Sequence, residues 1–432
     1  MARSTGTPLV PVSSGPPHLK GATLPARQGS MVVDCSQMRR IINVDRTNRV
    51  AMCEPGVTFP ELAAAVAEHG LRLNTPLLPR STKSVVANLL DREPVIMPKY
   101  QWDIGDPLAC LEVVFGTGDV FRTGSAAGPG SILEQRQAGG VQKEAAGPSA
   151  ASWYRVIQGA QGTMGIVTWA SIRCELLPRV EAPFLIGTPH LDRLVAVTRW
   201  LIRRRLVNEC FILNRCSLAS AAAAHGLVDR DRLEQDLPEW ILFFNIAGYD
   251  YLPELRVEGQ VADAIAVGAE YDLHPVDHLG ELTAAGVLTM VRGVSTTPYW
   301  KSSRRGAFSD VFFLSTYDRL DGLMSLMRGR AASRGLPADD LGVYLQPIVQ
   351  GTGCHVEFTL FHPESSGGPT TANDLSPETV QRLIDAGAFF SRPYGASVSA
   401  VFDRDPATVD ALRRVKSLVD PTGLLNPGRL CF

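Results

Sequence analysis

The residues of this 432-residue chain that could do chemistry gather in two short stretches. In "VIQGAQGTMGIVTWASIRCEL", residues 156–176, Gly159, Gly162 and Gly165 fall in G-x-x-G-x-x-G spacing, and an apolar strand pattern follows at once. Glycine is costly in regular structure, so such a cluster implies positive φ or a large object lying against bare main chain. In "GCHVEFTLFH", His355, Glu357 and Thr359 alternate and would share one face of a strand. Tyr344 and Gln346 on the preceding strand could face the same space. Such a polar face in an apolar setting reads as a lined cavity holding a general acid or base, or as an ordinary solvated face.

Several other chemistries are excluded or disfavoured. There is no G-x-x-x-x-G-K-[ST], no H-E-x-x-H and no G-x-S-x-G. The glycines at 159–165 lead into a strand rather than a helix, which disfavours a nicotinamide-binding βαβ unit. The formal charge of −2 provides no basic field for nucleic acid. Eight scattered cysteines contain no C-x-x-C pair, so neither a disulfide framework nor an iron–sulfur or zinc site is legible, and they read as small buried hydrophobes. No apolar run approaches the ~20 residues of a membrane helix, and the N-terminus lacks a signal-type apolar core, which reads as cytoplasmic.

The positioning elements follow from pattern and punctuation. "MVVDCSQM", "RIINVD" and "RVAMCEPG" read as strands. Thr58 to Glu61 forms a T-x-x-E capping box that opens a helix burying Phe59, Leu62 and Val66 and stopping at Gly70. Residues 74–110 are punctuated by Gly and Pro, with little periodicity. "ACLEVVFGTGDVFRTG" is a hairpin turning at Gly116–Asp119, and 125–152 reads as a loop with a short helix. Beyond Pro178 the texture changes. "LDRLVAVTRWLIRRRLVNE" and "YLPELRVEGQVADAIAVGAEY" are helices, while "ECFILN", "WILFFNIAGYD", "LGVYLQPIVQ" and "GCHVEFTLFHP" are strands. That pattern predicts an α+β unit with helices on one face of its sheet. A polar linker spans 363–375. Ser376-Pro377 and Asp405-Pro406 cap two final helices, the last burying Val409, Leu412, Val415 and Leu418.

Four segments taken in order resemble the FAD-linked oxidase family that includes vanillyl-alcohol oxidase, p-cresol methylhydroxylase and the glycolate and D-lactate dehydrogenases. They are "VPVSSGPPHLKGATLP" at the place of a pyrophosphate loop, "CEPGVTFPELAAAVAEHG", "IQGAQGTMGIVTWASI", and "VKSLVDPTGLLNPGRL". Together they span most of the chain. The resemblance implies an α+β protein: a two-lobed PCMH-type FAD-binding domain (1–178 with 376–432) and an α+β substrate cap domain (179–375). The family carries a further helix and strand before the pyrophosphate loop, so this chain has either a truncated start or an FAD site completed differently.

The resemblance also assigns candidate residues. FAD would lie against Ser13, Ser14, Gly15, His18, Leu19 and Gly21, with His18 a candidate covalent attachment point or an ordinary loop histidine. Further cofactor contacts would come from Ser81, Asn88 and Gly105, from Gly159, Gly162, Thr163, Gly165, Ile166 and Val167, and from Asn426. Arg392 matches an arginine near flavin and substrate in the phenol-oxidising branch, though a surface arginine paired with an acid would read the same way. Tyr394, His355 and Tyr344 complete the catalytic candidates. The H-x-G-D-G-N metal motif of the hydroxy-acid branch is absent, so no metal is expected. The implied activity is FAD-dependent oxidation of a small alcohol or para-alkyl phenol, with electrons passing to oxygen or to a cytochrome or iron–sulfur partner, and a homo-oligomer is compatible with it. The alternatives are a D-2-hydroxy-acid dehydrogenase subunit and a flavin-free scaffold subunit of a redox complex.

Overall fold

The structure is a computed structural model, and it describes residues 2–98, 106–147, 152–364 and 375–432. The first sheet is built on the strand that follows the glycine cluster. β1 (Leu9–Val12) and β2 (Met31–Asp34) form a separate parallel pair. β3 (Ile41–Asp45), β4 (Val50–Cys53), β6 (Leu108–Val114), β7 (Val120–Arg122) and β8 (Ile166–Leu176) make a sheet in the order β3-β4-β8-β6-β7, with β5 (Leu71–Leu73) also on β8. The helix Phe59–Ala67 buries Phe59, Leu62 and Val66 as the pattern requires. Its Glu61 carboxylate accepts from both the Thr58 amide and the Thr58 hydroxyl. The weakly periodic stretch after it contains a short helix, Val85–Leu90, capped by Ser84 Oγ on the Ala87 amide.

The second sheet is antiparallel throughout. It comprises β9 (Val180–Thr188), β10 (Cys210–Asn214), β11 (Trp240–Gly248), β14 (Gly306–Ser315), β15 (Leu341–Ile348) and β16 (Gly353–Pro363), in the order β14-β16-β15-β10-β11-β9. A two-residue hairpin, β12 (His278–Leu279) and β13 (Leu282–Thr283), lies beside it. β10, β11 and β15 are buried along their whole lengths, and this corrects the expectation of helices on one face only. One face packs against the helices Leu191–Arg203, Pro253–Ala269, Leu320–Ser333 and Pro377–Asp385. The other meets Arg215–Ala224, Arg230–Asp236 and Ala284–Arg292, which the sequence did not signal clearly because their compositions are Ala-rich or highly charged. Fully buried phenylalanines such as Phe211, Phe243, Phe244 and Phe358 anchor the two faces. Each contributes about 1.5–3 kcal/mol by leaving water.

A buried ion cluster fastens the first sheet to the second. Arg72 on β5 pairs with Glu209, which also accepts from Arg292 Nε at 2.9 Å and from Asn245 at 2.9 Å. Burial alone would raise the Glu209 carboxyl, but Arg72 and Arg292 hold it down at about 2. Such a cluster is worth little against an apolar replacement, yet losing one member costs several kcal/mol.

The last helix, Pro406–Val419, departs from its expected face. Val409 is buried, but Leu418 is 71% exposed, and Lys416 and Val419 turn inward instead. The apolar spacing was off by a fraction of a turn because a charged side chain, Lys416, is drawn into the core by specific partners described below. Seven of the eight cysteines are buried, all eight are unpaired, and burial pushes thiols such as Cys53 and Cys210 well up. The expected linker falls largely on residues outside those described, as does Gly105.

Candidate active site

A cleft of about 1890 Å³, counting its open mouth, runs between the two sheets. Its first wall is built from two loops that include glycines. Ser13, Ser14, His18, Leu19 and Gly21 line it from the loop after β1, and Gly162, Gly165, Ile166 and Val167 from the glycine loop. Two distant loops therefore share one space, and the packing behind them explains their composition. Gly162 has φ +75°, and a Cβ there would lie 2.5 Å from Pro11 Cγ. A Cβ on Gly165 would lie 2.2 Å from Val113 Cγ2. This corrects the expected reason for the glycines: chain pressing on chain from behind forbids a side chain, while the main chain still borders the cleft. Gly159, also at positive φ, donates its amide to the Leu90 carbonyl and does not line the cleft.

Other sequence candidates hold the loops rather than face the space. Thr163 is fully buried and donates to Ala160 O. Asn426 donates to the carbonyls of Ala22 and Gln161 at 3.0 and 2.7 Å, stitching the two loops together. Gly15 donates its amide to Thr82 O, and Ser14 Oγ accepts from the Ser84 amide. Ser81 lies at intermediate exposure off the cleft. Asn88 is fully buried on Val85–Leu90, its two amide atoms have no hydrogen-bond partner, and its neighbours Ala87 and Leu90 line the cleft. An orphaned buried amide costs about 1–3 kcal/mol, so it fits a position that a bound group completes.

The opposite wall is aromatic and charged. Tyr299, Trp300, Phe308, Phe312 and Tyr344 provide the rings. Lys301 donates to Asp310 at 2.7 Å and to Glu357 at 2.6 Å, and Thr359 donates to Asp310 at 2.7 Å. Glu357 and Thr359 therefore share the predicted face of β16. His355 shares it too, but is fully buried between the Phe312 and Tyr344 rings, with Glu357 3.7 Å away, and does not line the cleft. Burial pushes the imidazole down to about 4, so it is neutral across the physiological range. The Tyr344 hydroxyl donates to Gln346.

At the junction of the walls, Tyr394 donates to Asp91 at 2.5 Å, and Lys20 pairs with Asp91 at 2.6 Å and with Glu93. Burial alone would raise Asp91, but Lys20 and Lys83 hold it below its ordinary value. Arg392 sits beside them, 4% exposed, with its guanidinium 4.3 Å from the centre of the Phe312 ring. Its Nη1 is buried without a hydrogen-bond partner. Arg392 is therefore buried rather than at the surface, with the Asp91 and Glu93 carboxylates in its electrostatic neighbourhood. His18, partly buried near Arg80, is shifted below its ordinary value first by burial and then by that arginine. Lys20, Asp91, Lys301 and Asp310 escaped the sequence reading. The signal was present for Asp310, a lone acid inside the apolar run "FSDVFFL", because residues of that run face the polar side of β16.

Two glycine-bearing loops on one wall, an orphaned buried amide nearby and a polar, aromatic facing wall suit a long dinucleotide. The fold and this cleft define an FAD-linked oxidoreductase. Residues 1–124 match the FAD binding domain and residues 401–430 the C-terminal domain of FAD linked oxidases. An uncharacterised FAD-linked oxidoreductase of Mycobacterium tuberculosis is 24% identical over 99% of this chain and 86% of its own length. D-2-hydroxyglutarate dehydrogenase of Stutzerimonas stutzeri is 22% identical over 98% and 85%. Among solved structures, 4-ethylphenol oxidase from Gulosibacter chungangensis superposes with a TM-score of 0.79 at 17% identity, covering 99% of this chain and 85% of that one. p-Cresol methylhydroxylase gives 0.75 at 20%, covering 100% and 85%. Among the described residues no helix is long and apolar enough to cross a membrane.

Proposed function

We propose that this enzyme oxidises a small alcohol or para-alkyl phenol by two electrons, which then pass to oxygen or a redox partner. The observation that carries this reading is Arg392: a desolvated guanidinium with one free donor, facing a ring-walled space. FAD, when bound, accepts the hydride. The main chain at 13–14, 18–23, 160–162 and 165–167, with the Asn88 amide, would hold that cofactor. Tyr299, Trp300, Phe308 and Phe312 would sandwich a flat apolar substrate and exclude water. Arg392 would stabilise negative charge that develops as the substrate gives up hydride. Tyr394, hydrogen-bonded to Asp91, would orient the substrate's hydroxyl.

A second reading has its own support. A guanidinium with a free buried nitrogen also suits a carboxylate, and a relative aligned over 98% of this chain is named for a D-2-hydroxy acid. Anaerobic mixing of the FAD-loaded protein with 4-methylphenol, benzyl alcohol, and D- and L-lactate separates the two. Bleaching by the first pair alone is expected; bleaching by D-lactate alone would replace the phenol and alcohol reading.

A further inference from the structure

Two carboxylates in the cleft share a single ammonium. All three line the cleft, Lys301 at 5% side-chain exposure and Asp310 and Glu357 at 17% each. One ammonium cannot neutralise both, so the cluster carries one surplus negative charge in a ring-walled setting. We propose that Asp310 and Glu357, bridged by Lys301, form the proton acceptor of this active site. This inference rests on the alcohol or phenol reading given above.

The step balances. The substrate's O–H bond breaks and its proton passes to a carboxylate oxygen of the pair. The C–H electron pair would leave with its hydrogen as hydride, for which FAD, when bound, would be the two-electron acceptor. An alcohol becomes a carbonyl compound and a phenol its two-electron-oxidised conjugated form, and the pair later returns the proton to solvent through the open mouth.

The surroundings favour uptake of one proton. Burial raises Asp310 above its ordinary value, opposed by Lys301 and reinforced by the Glu357 charge, while Lys301 and His355 keep Glu357 low despite its burial. The other groups facing the pair are Tyr299 from the segment before β14, Tyr344 from β15 and His355 from β16. Arg392 comes from the C-terminal segment, and Glu93 from the facing wall. His355 is neutral and both tyrosines are held protonated by burial, leaving the carboxylate pair as the group able to change charge. Thr359 donates to Asp310 and favours its ionised form.

Infrared titration of the FAD-loaded protein without substrate reads the pair directly. A protonated, deuterium-sensitive carboxyl band should grow in at a pH above the ordinary aspartate range. It should vanish in Asp310→Asn and move to higher pH in Thr359→Val, a variant that leaves every charge in place. Anaerobic flavin bleaching by 4-methylphenol or benzyl alcohol should slow along the same acid limb. Asp310→Asn should lower that rate about 10²–10⁴-fold, with part recovered in Asp310→Glu. A band unaltered in both variants, or an Asp310→Asn enzyme keeping the wild-type rate and acid limb, would overturn the assignment. If neither compound bleaches the wild-type flavin, the substrate reading fails, and the band still decides where the proton resides.

Discussion

The ammonium of Lys416 donates to the carbonyl oxygen of Thr163 at 2.7 Å, across 253 residues of sequence. It also pairs with Asp420 at 2.7 Å and reaches Leu425 O, while Asp420 accepts from the amides of Leu424 and Leu425. The last turn of the final helix thus clamps the glycine loop from behind. Lys416→Met leaves the Asp420 carboxylate buried and unpaired, at a cost of about 3–5 kcal/mol. Chemical denaturation should show that loss, and the purified variant should carry less FAD because its loop is no longer held.

The glycine loop is equally sensitive to volume. Gly165→Ala drives a methyl into Val113, and overpacking of this kind costs about 1–3 kcal/mol. Adding Val113→Ala should restore part of that stability. A double-mutant cycle with no coupling would remove Val113 as the reason for the glycine.

Arg392 is expected to act on the chemical step. Arg392→Ala should slow anaerobic flavin reduction about 10²–10³-fold while FAD content stays near that of the wild type. Arg392→Lys should fall between the two, since a lysine retains charge but not the flat guanidinium over Phe312. Unchanged reduction kinetics in the alanine variant would remove the proposed role.

His355 links stability to pH. Its folded value, about 4, lies below the ordinary 6.5, so the unfolded chain binds the extra proton within that window. Its contribution is present above pH 6.5 and is lost as pH falls toward 4, on the order of 3 kcal/mol in all. Urea midpoints measured across that window should fall less steeply for His355→Gln than for the wild type. The activity profile near neutrality should show no limb belonging to this imidazole.

Much of the scaffold was legible locally. The capping box at Thr58, the hairpin around Gly116–Asp119, the strand after Gly165 and the Ser376 and Asp405 caps depend on neighbours within a turn or two, and they form as read. Where partners lie far off, the reading slipped. Leu418 was assigned inward because apolar spacing says nothing of Asp420 and the Thr163 carbonyl, which pull Lys416 in. His355 looked like a cavity residue because alternation gives its face, but the rings of Phe312 and Tyr344 close over it.

The chain's own order of residues determined its secondary structure, the glycine-rich loops and the family to which they belong, because backbone preference and motif spacing are properties of adjacent residues. Only the tertiary structure decided which side chains meet in the cleft. Lys20 meets Asp91, Lys301 meets Asp310 and Glu357, and Arg392 keeps one buried nitrogen without a hydrogen-bond partner. Those pairings arise when segments separated in sequence are folded side by side, and no local pattern encodes which residue then stands beside another.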